Sequence, residues 1–381
     1  MNNKQDGRFL LLSLGGRVVP LSYVELENSV CLISDSIRSV WASSILRSGE
    51  ARVRIGEKKA MMNVTLVTSG EEKQRISNMF RTKYGTDNFG KWFSSPGKFL
   101  RLSGTAGTGS STASYETWLQ EEFDAIAPDY DTHIMGNTIN RLLRNRSVSL
   151  MARTFPPASR LLEIGCGTGT ETLSLLEMGY NIVATDISPE MISVLQKKSS
   201  KFEYGERLSL QVLKASSVSE LLSKYGESSF DGIYSTYGAL NCEPDLSLLV
   251  PAFGSLLKRK GKLVLGVYNS ICPMDSLGSI IRGSLKGAFA RFMDPIPIEH
   301  SRFCIDVWAY SPMQISNLFR EKFRVISVEG APVIIPPSDK VRFMDKFLRH
   351  FNTIDRIDRF LGSRWPFSYL GDHFLMVMEA I

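Results

Sequence analysis

Histidine and cysteine are scarce in this chain: 381 residues hold 4 histidines and 5 cysteines. The cysteines, Cys31, Cys166, Cys242, Cys272 and Cys304, are scattered, with no C-x-x-C pair and no histidine cluster beside them. That spacing excludes a zinc-finger pattern and a disulfide-stapled secreted scaffold, and predicts reduced thiols and no structural metal. Long apolar runs are missing too. No stretch approaches the roughly 18 residues that cross a bilayer, and the N-terminus lacks the basic start, apolar run and cleavage site of an export signal. A cytoplasmic location is the expectation. The aromatic-basic interleaving of common RNA motifs is also lacking, so no nucleic-acid partner is expected.

What is present is an ordinary globular composition, 43% hydrophobic, with a net charge of +6. The length suits two or three domains without staples. The charge is uneven: residues 1–110 carry 16 Lys and Arg against 9 Asp and Glu, leaving 29 against 30 in the rest. A basic domain can attract an anionic cofactor, a lipid surface or a nucleic acid, but scattered Lys and Arg are more often a solvated face.

Residues 8–68 alternate short apolar runs with turn residues: Phe9 to Leu14, Val18 to Val24, Val30 to Ile33, Ala51 to Ile55 and Ala60 to Val67. This spacing predicts a small antiparallel barrel, interrupted by a helix over 37–46 and followed by one over 71–84. The small polar run Ser103 to Thr112 can bury little and reads as a linker. The predicted division is therefore a barrel domain over 1–102, a flexible linker over 103–113, and a second domain over 114–381.

From Arg160 onward, strands and helices alternate. Strands are predicted near 160–165, 181–186, 208–214, 230–236 and 261–268, with helices near 169–179, 188–201, 216–225 and 244–259. This is the pattern of an α/β, Rossmann-like doubly wound parallel sheet. Two more strands are expected at 323–330 and 373–379. Two amphipathic segments, around 274–300 and 340–362, are predicted as cap helices. They either cover a cleft for a flat, lipophilic acceptor met at a membrane surface, or pack against the sheet edge and the first domain.

The most informative stretch is Arg160-Leu-Leu-Glu-Ile-Gly-Cys-Gly-Thr-Gly169, followed by Asn181-Ile-Val-Ala-Thr-Asp186. It reads as strand, glycine turn, helix start and a second strand ending in an acid. A dinucleotide fingerprint wants its third glycine at position 170, where this chain has Thr170. The alternative is a nicotinamide-binding fold with that glycine displaced.

The stretch closely resembles motif I and the acidic ribose-binding residue of class I S-adenosylmethionine-dependent methyltransferases. That resemblance implies a seven-stranded sheet in the order 3-2-1-4-5-7-6, its last strand antiparallel. It implies cofactor contacts from Glu163, Gly165, Cys166, Gly167, Gly169 and Asp186, with Ile187 lining the adenine pocket. Tyr130, in the segment Phe123 to Asp131 that resembles the family's lead-in, would line the cleft or else cap the sheet as a core tyrosine. Many relatives place an Asp after the third strand to hold the adenine amino group; here Ser216 or a backbone group would substitute. Ser235, Thr236, Tyr237 and Asn241 are expected on the cleft wall after the fourth strand. His300, in the insertion after the fifth strand, and Tyr237 are the candidate catalytic residues, with Glu299 and His373 as further candidate bases.

The N-terminal stretch resembles, less specifically, the split β-barrel of flavin- and deazaflavin-dependent oxidoreductases. The resemblance rests on Gly16 to Tyr23, on Val40-Trp41 before Ala51 to Ile55, and on Phe80 to Gly85. It implies a flavin or deazaflavin site, for which Arg17 and Arg38 are the candidate contacts, and pairing of two barrels into a homodimer. The leading expectation is methyl transfer from S-adenosylmethionine to a small apolar or aromatic metabolite: a quinone, a phenol or an isoprenoid-like molecule. The alternative is a bifunctional oxidoreductase and methyltransferase.

Overall fold

The computed structural model describes residues 9–14, 17–35, 40–56, 58–93, 96–104, 115–281, 283, 285–296, 306–337 and 351–381. The chain divides into two compact units, Met1–Ala113 with Ser301–Cys304, and Ser114–His300 with Ile305–Ile381.

In the first unit, strands β1 (Phe9–Leu14), β2 (Arg17–Leu26), β3 (Ser29–Asp35), β4 (Glu50–Ile55), β5 (Lys58–Leu66) and β6 (Pro96–Gly104) close into a barrel. Its strand order is β1-β2-β3-β6-β5-β4, and β1 pairs with β4 to complete the circle. Period-two alternation decides which side chains go inside. Val30 and Leu32 of β3 and Leu100 and Leu102 of β6 face the interior with Leu10, Leu12 and Val53. Their neighbours Cys31, Ile33 and Phe99 face outward. Helix α1 (Val40–Ser48) contributes Ala42 and Ile45 to the interior. The outer face is covered by Ile76 and Phe80 of α2 (Gly70–Tyr84) and Phe89 of α3 (Thr86–Trp92).

The closed six-stranded barrel fits the split-barrel resemblance. The sixth strand was not foreseen. It extends through Ser103 and Gly104, two residues into the stretch expected to be linker, because β6 must pair with both β3 and β5 to close the ring. The remainder of that stretch, residues 105–113, lies outside the described residues, as do Arg38 and the side chain of Arg17.

The second unit opens with α4 (Tyr115–Ile126), α5 (Tyr130–Met135) and α6 (Thr138–Thr154). The α/β alternation follows: β7 (Arg160–Ile164), α7 (Thr170–Glu177), β8 (Asn181–Asp186), α8 (Pro189–Ser199), β9 (Leu208–Val212), α9 (Leu221–Tyr225), β10 (Phe230–Ser235), α10 (Leu249–Leu256) and β11 (Leu257–Tyr268). After it come α11 (Pro273–Ile281), α12 (Leu285–Ala288), α13 (Pro312–Phe319), β12 (Phe323–Ala331), α14 (Phe351–Gly362) and β13 (His373–Ala380). The sheet order is β12-β13-β11-β10-β7-β8-β9, with β13 antiparallel to both neighbours. Numbered within this unit, that is the expected 3-2-1-4-5-7-6.

Both faces of the sheet are covered, so its central strands are apolar almost throughout. One face packs Leu162, Ile233, Leu263 and Met376 against Phe253 of α10 and Phe319 of α13. The other packs Leu161, Tyr234, Val264 and Leu375 against Leu143 of α6 and Leu175 of α7. No described helix is long and apolar enough to cross a membrane.

The cap differs from expectation. Its first segment breaks at Gly283, which has φ +75°, into α11 and α12. The apolar stripe there points outward: Ile281, Leu285, Phe289 and Phe292 are 76%, 68%, 60% and 60% exposed. Arg291, in the same segment, is buried. Inward burial of this guanidinium among four acceptors, the Asp275 and Asp372 carboxylates and the Asn269 and Asp372 carbonyls, turns the segment over. Residues 297–300 and the first half of the second cap segment lie outside the described residues, and α14 supplies its second half.

Candidate active site

The glycine turn between β7 and α7 is built against its neighbours. Gly165 has φ +73°, and a Cβ there would sit 2.3 Å from the Cβ of Ala239; Gly169 has φ +80°, and a Cβ would sit 2.1 Å from Leu195 Cδ1. Any side chain at either position would collide and strain the backbone. The turn is pinned to β8 because the amides of Gly165 and Cys166 both donate to the Thr185 carbonyl, each at 2.9 Å. Helix α7 thus starts on the turn with its amide dipoles toward the cleft.

Asp186 closes the other side of the turn. Its Oδ2 accepts the Gly167 amide at 2.8 Å, and its Oδ1 accepts the Ser188 amide at 2.9 Å. Burial pushes its pKa up to about 6, against the pull of these two donors. Ser188 in turn caps α8 by accepting the Met191 amide at 3.0 Å. Ile187, next in the chain, is half-buried. Ser216 is half-buried in a 3-10 turn, Ala215–Glu220, just after β9, and that strand end is tied to the end of β8 by the Leu213 amide on the Asp186 carbonyl at 2.8 Å.

Glu163 is buried one step inside the turn. Its Oε2 accepts Thr172 Oγ1 at 2.5 Å and Tyr234 OH at 2.8 Å. Burial pushes its pKa up to about 8, and the two hydroxyl donors only partly offset this. Cys166 is buried in the turn, its Sγ 3.5 Å from the Gly167 carbonyl. Ser235 donates to the Ile164 carbonyl at 2.8 Å, locking β10 to β7. Tyr130, at the start of α5, holds its ring over the turn: Cε1 lies 3.8 Å from where a Cβ on Gly167 would be. The structure therefore gathers Tyr130, Glu163, Gly165, Cys166, Gly167, Gly169, Asp186, Ile187 and Ser235 at one edge of the sheet.

Two expected wall residues serve differently. Asn241 is spent on structure: its side chain donates to the carbonyls of Tyr268 and Trp308 and accepts the Tyr268 amide at 2.9 Å. Tyr237, at φ +57°, hydrogen-bonds Ser147 at 3.1 Å, and its ring lies 4.5 Å from the Arg144 guanidinium. Burial holds its phenol well above its ordinary pKa. His300 and Glu299 lie outside the described residues.

Sequence reasoning missed a buried ion pair beside the turn, Arg144 of α6 with Glu171 of α7. Arg144 Nε and Glu171 Oε1 are buried without a hydrogen-bond partner among the described residues. Such unmatched groups mark a place where water or a ligand completes the set. Asp124 was missed as well: its carboxylate accepts the Ser188 hydroxyl and the Glu190 amide, joining α4 to the start of α8. Its place inside Phe123 to Asp131 was the available signal. Arg144 has no local signal, since its partner is 27 residues away.

These features fit S-adenosylmethionine on the chain's own terms. A turn that excludes side chains leaves room for backbone approach, an acid on the turn can accept ribose hydroxyls, and an unmatched buried arginine and a buried glutamate suit the two charges of an amino-acid tail. The second unit thus has the sheet order and glycine turn of the class I, S-adenosylmethionine-dependent methyltransferase fold. Residues 162–265 match the family described as a methyltransferase domain.

Among curated proteins, the ubiquinone biosynthesis O-methyltransferase of Xanthomonas axonopodis pv. citri is 33% identical over 118 residues, 31% of this chain and 46% of that protein. The ubiquinone/menaquinone biosynthesis C-methyltransferase of Geotalea daltonii is 28% identical over 152 residues, 39% of this chain and 61% of that protein. The chain thus spans about half the length of these curated relatives. Among solved structures, the 1,6-didemethyltoxoflavin-N1-methyltransferase of Burkholderia thailandensis overlays with a TM-score of 0.41 at 17% identity, covering 74% of this chain and 94% of that one.

Proposed function

We propose that this protein transfers a methyl group from S-adenosylmethionine to a small apolar or aromatic acceptor of the quinone or phenol class. The observation that carries the reading is Asp186, fixed by two backbone amides at the mouth of a turn that tolerates no side chain. When bound, the cofactor supplies a methyl activated by its sulfonium. Displacement at that methyl needs alignment more than reactive groups, so the chain's task is mainly to hold and orient.

Asp186 accepts the ribose hydroxyls, Tyr130 and Ile187 wall the nucleoside, and Ser216 or its backbone meets the adenine. Arg144 takes the carboxylate of the amino-acid tail through its unmatched Nε–H. Glu163, held largely protonated at neutral pH by burial, meets the ammonium of that tail as a hydrogen-bond acceptor rather than as a charge. Tyr237 keeps its proton and acts as a wall and hydrogen-bonding group rather than a base, in keeping with its raised pKa. The acceptor class is supported by the names of the curated relatives, which concern ubiquinone biosynthesis, and by the outward apolar stripe of the cap, which also suits transient contact with a membrane surface.

The test is calorimetric titration of the full chain with S-adenosylmethionine and S-adenosylhomocysteine, beside Asp186→Ala. Micromolar binding that falls by about a hundredfold in the variant, some 2.7 kcal/mol, supports the reading. Binding of a nicotinamide or flavin nucleotide in its place sinks it.

A further inference from the structure

The antiparallel insertion of β13 has a chemical result. Because β13 runs against β11, its first residue lies at the same edge as the last residue of β11: His373 is registered opposite Tyr268. That is the edge where ligands of such sheets bind. The His373 ring stacks edge-on to Tyr268, with centroids 5.3 Å apart, and lies 6.3 Å from Tyr237. Together with Ser147 and Tyr237, it lines a small cavity of about 10 Å³, room for one water.

Behind the imidazole sits a buried charge chain. Asp372 Oδ2 is 3.2 Å from His373 Nδ1, a nitrogen that has no aligned hydrogen-bond partner. The other oxygen, Oδ1, accepts Arg291 Nη2 at 2.6 Å. Arg291 also donates to the Asn269 and Asp372 carbonyls, each at 3.1 Å, and to Asp275 Oδ2 at 2.9 Å, and its guanidinium stacks 4.0 Å from the Tyr268 ring. Burial alone would raise the Asp372 carboxyl; Arg291 and His373 outweigh it and hold the group well below the usual carboxylate range. An ionised carboxylate beside Nδ1 favours the proton there, leaving Nε2 with its lone pair.

We propose that His373 is the base that takes the acceptor's hydroxyl proton, with Asp372 and Arg291 as positioning residues. This rests on the methyl-transfer reading above and narrows its acceptor to a phenolic or enolic hydroxyl. In the step, the bond from sulfur to methyl breaks with its electron pair left on sulfur, giving the thioether. The acceptor oxygen forms the new bond to the methyl carbon, and its proton passes to His373 Nε2, which later returns it to water. The ionisable groups around His373 are Asp372 on its own strand, Tyr268 from β11, Tyr237 after β10 and Arg291 after α12, with Arg144 beyond Tyr237.

The test uses the full chain with 4-nitrophenol, whose ionised form is yellow, and compares wild type with His373→Gln. Wild type is expected to bind the probe as phenolate at a pH where the free probe is largely neutral. His373→Gln should lose that colour at least tenfold, while its near-UV circular dichroism and its S-adenosylmethionine affinity stay within twofold of wild type. Once an acceptor is in hand, kcat of His373→Gln should fall at least tenfold below the wild type, with KM little changed. Wild type without the colour, or a variant that keeps it, overturns the proposal. Failure of wild type to bind S-adenosylmethionine sinks the broader reading by a separate measurement.

Discussion

The two units spend their buried polar groups in opposite ways. In the barrel, the only charged residue among the described ones to be buried is Arg54, and ion pairs such as Arg75 with Glu27 sit in solvent, at 60% and 65% exposure. Exposed pairs of this kind contribute little. The second unit buries Arg144, Arg146, Glu163, Glu171, Asp186, Arg291, Asp358 and Asp372. Each removal of a charge from water is costly unless a partner compensates. The contrast places the molecule's buried charge, and with it the candidate site, in the second unit.

The largest expected effect comes from breaking a buried network in the second unit. Asp358 accepts the amides of Val333, Ile334 and Ile335 and pairs with Arg146. Asp358→Ala strands that arginine and should cost about 3–5 kcal/mol, read as a shift of the urea midpoint. A shift below 1 kcal/mol would mean that burial of charge in this unit is less consequential than the comparison holds.

In the barrel the matching change is apolar. Leu100 is fully buried in the interior, and Leu100→Ala should destabilise the barrel by about 2–5 kcal/mol. S-adenosylmethionine affinity should stay within twofold. A parallel loss of affinity would show that the barrel takes part in the site.

Glu163 sets stability against binding. Its pKa of about 8 in the fold, above the ordinary 4.5, means that the folded state favours the protonated form. Its contribution is therefore intact below pH 4.5 and is lost as pH rises toward 8. Glu163→Gln should raise the melting temperature at pH 9 by a few degrees, leave it unchanged at pH 4, and weaken cofactor affinity about tenfold. An unchanged affinity would remove Glu163 from the cofactor site.

The smallest effect is a pH dependence. Asp186, at about 6, must be ionised to accept ribose hydroxyls fully, so the dissociation constant should rise as pH falls through 6 and level off above 7. A titration series from pH 5 to pH 8 measures it, and a flat profile would break the assignment.

Legibility in the sequence followed the range of the contacts. The strands of the second unit and the glycine turn were readable because period, turn residues and motif lie within a few residues of each other; the strand order followed only from the family resemblance that the motif carries. The barrel was readable up to its last strand; Pro96–Gly104 was hidden because only ring closure with β3 and β5 makes it a strand. Helix α13 carried a local sign that was overlooked, the capping box of Ser311 and Gln314. The Arg144–Glu171 pair and the Arg291–Asp372–His373 chain could not be read, since they join residues 27 and 81 apart in sequence. The inverted cap has the same cause: its spacing is helical, but which face turns inward is decided by Arg291 finding acceptors elsewhere.

One buried atom in the turn has a practical consequence. Burial pushes the Cys166 thiol well above its ordinary pKa, and does the same to Cys31, Cys242 and Cys272. The thiolate is the reactive species, so at neutral pH these four offer almost nothing to peroxide, maleimide or iodoacetamide. With Cys304 replaced by serine, the chain becomes a silent background for spectroscopy. One cysteine introduced on the barrel and another on α14 would accept a dye pair cleanly, allowing the distance between the two units to be followed in solution as ligands are added.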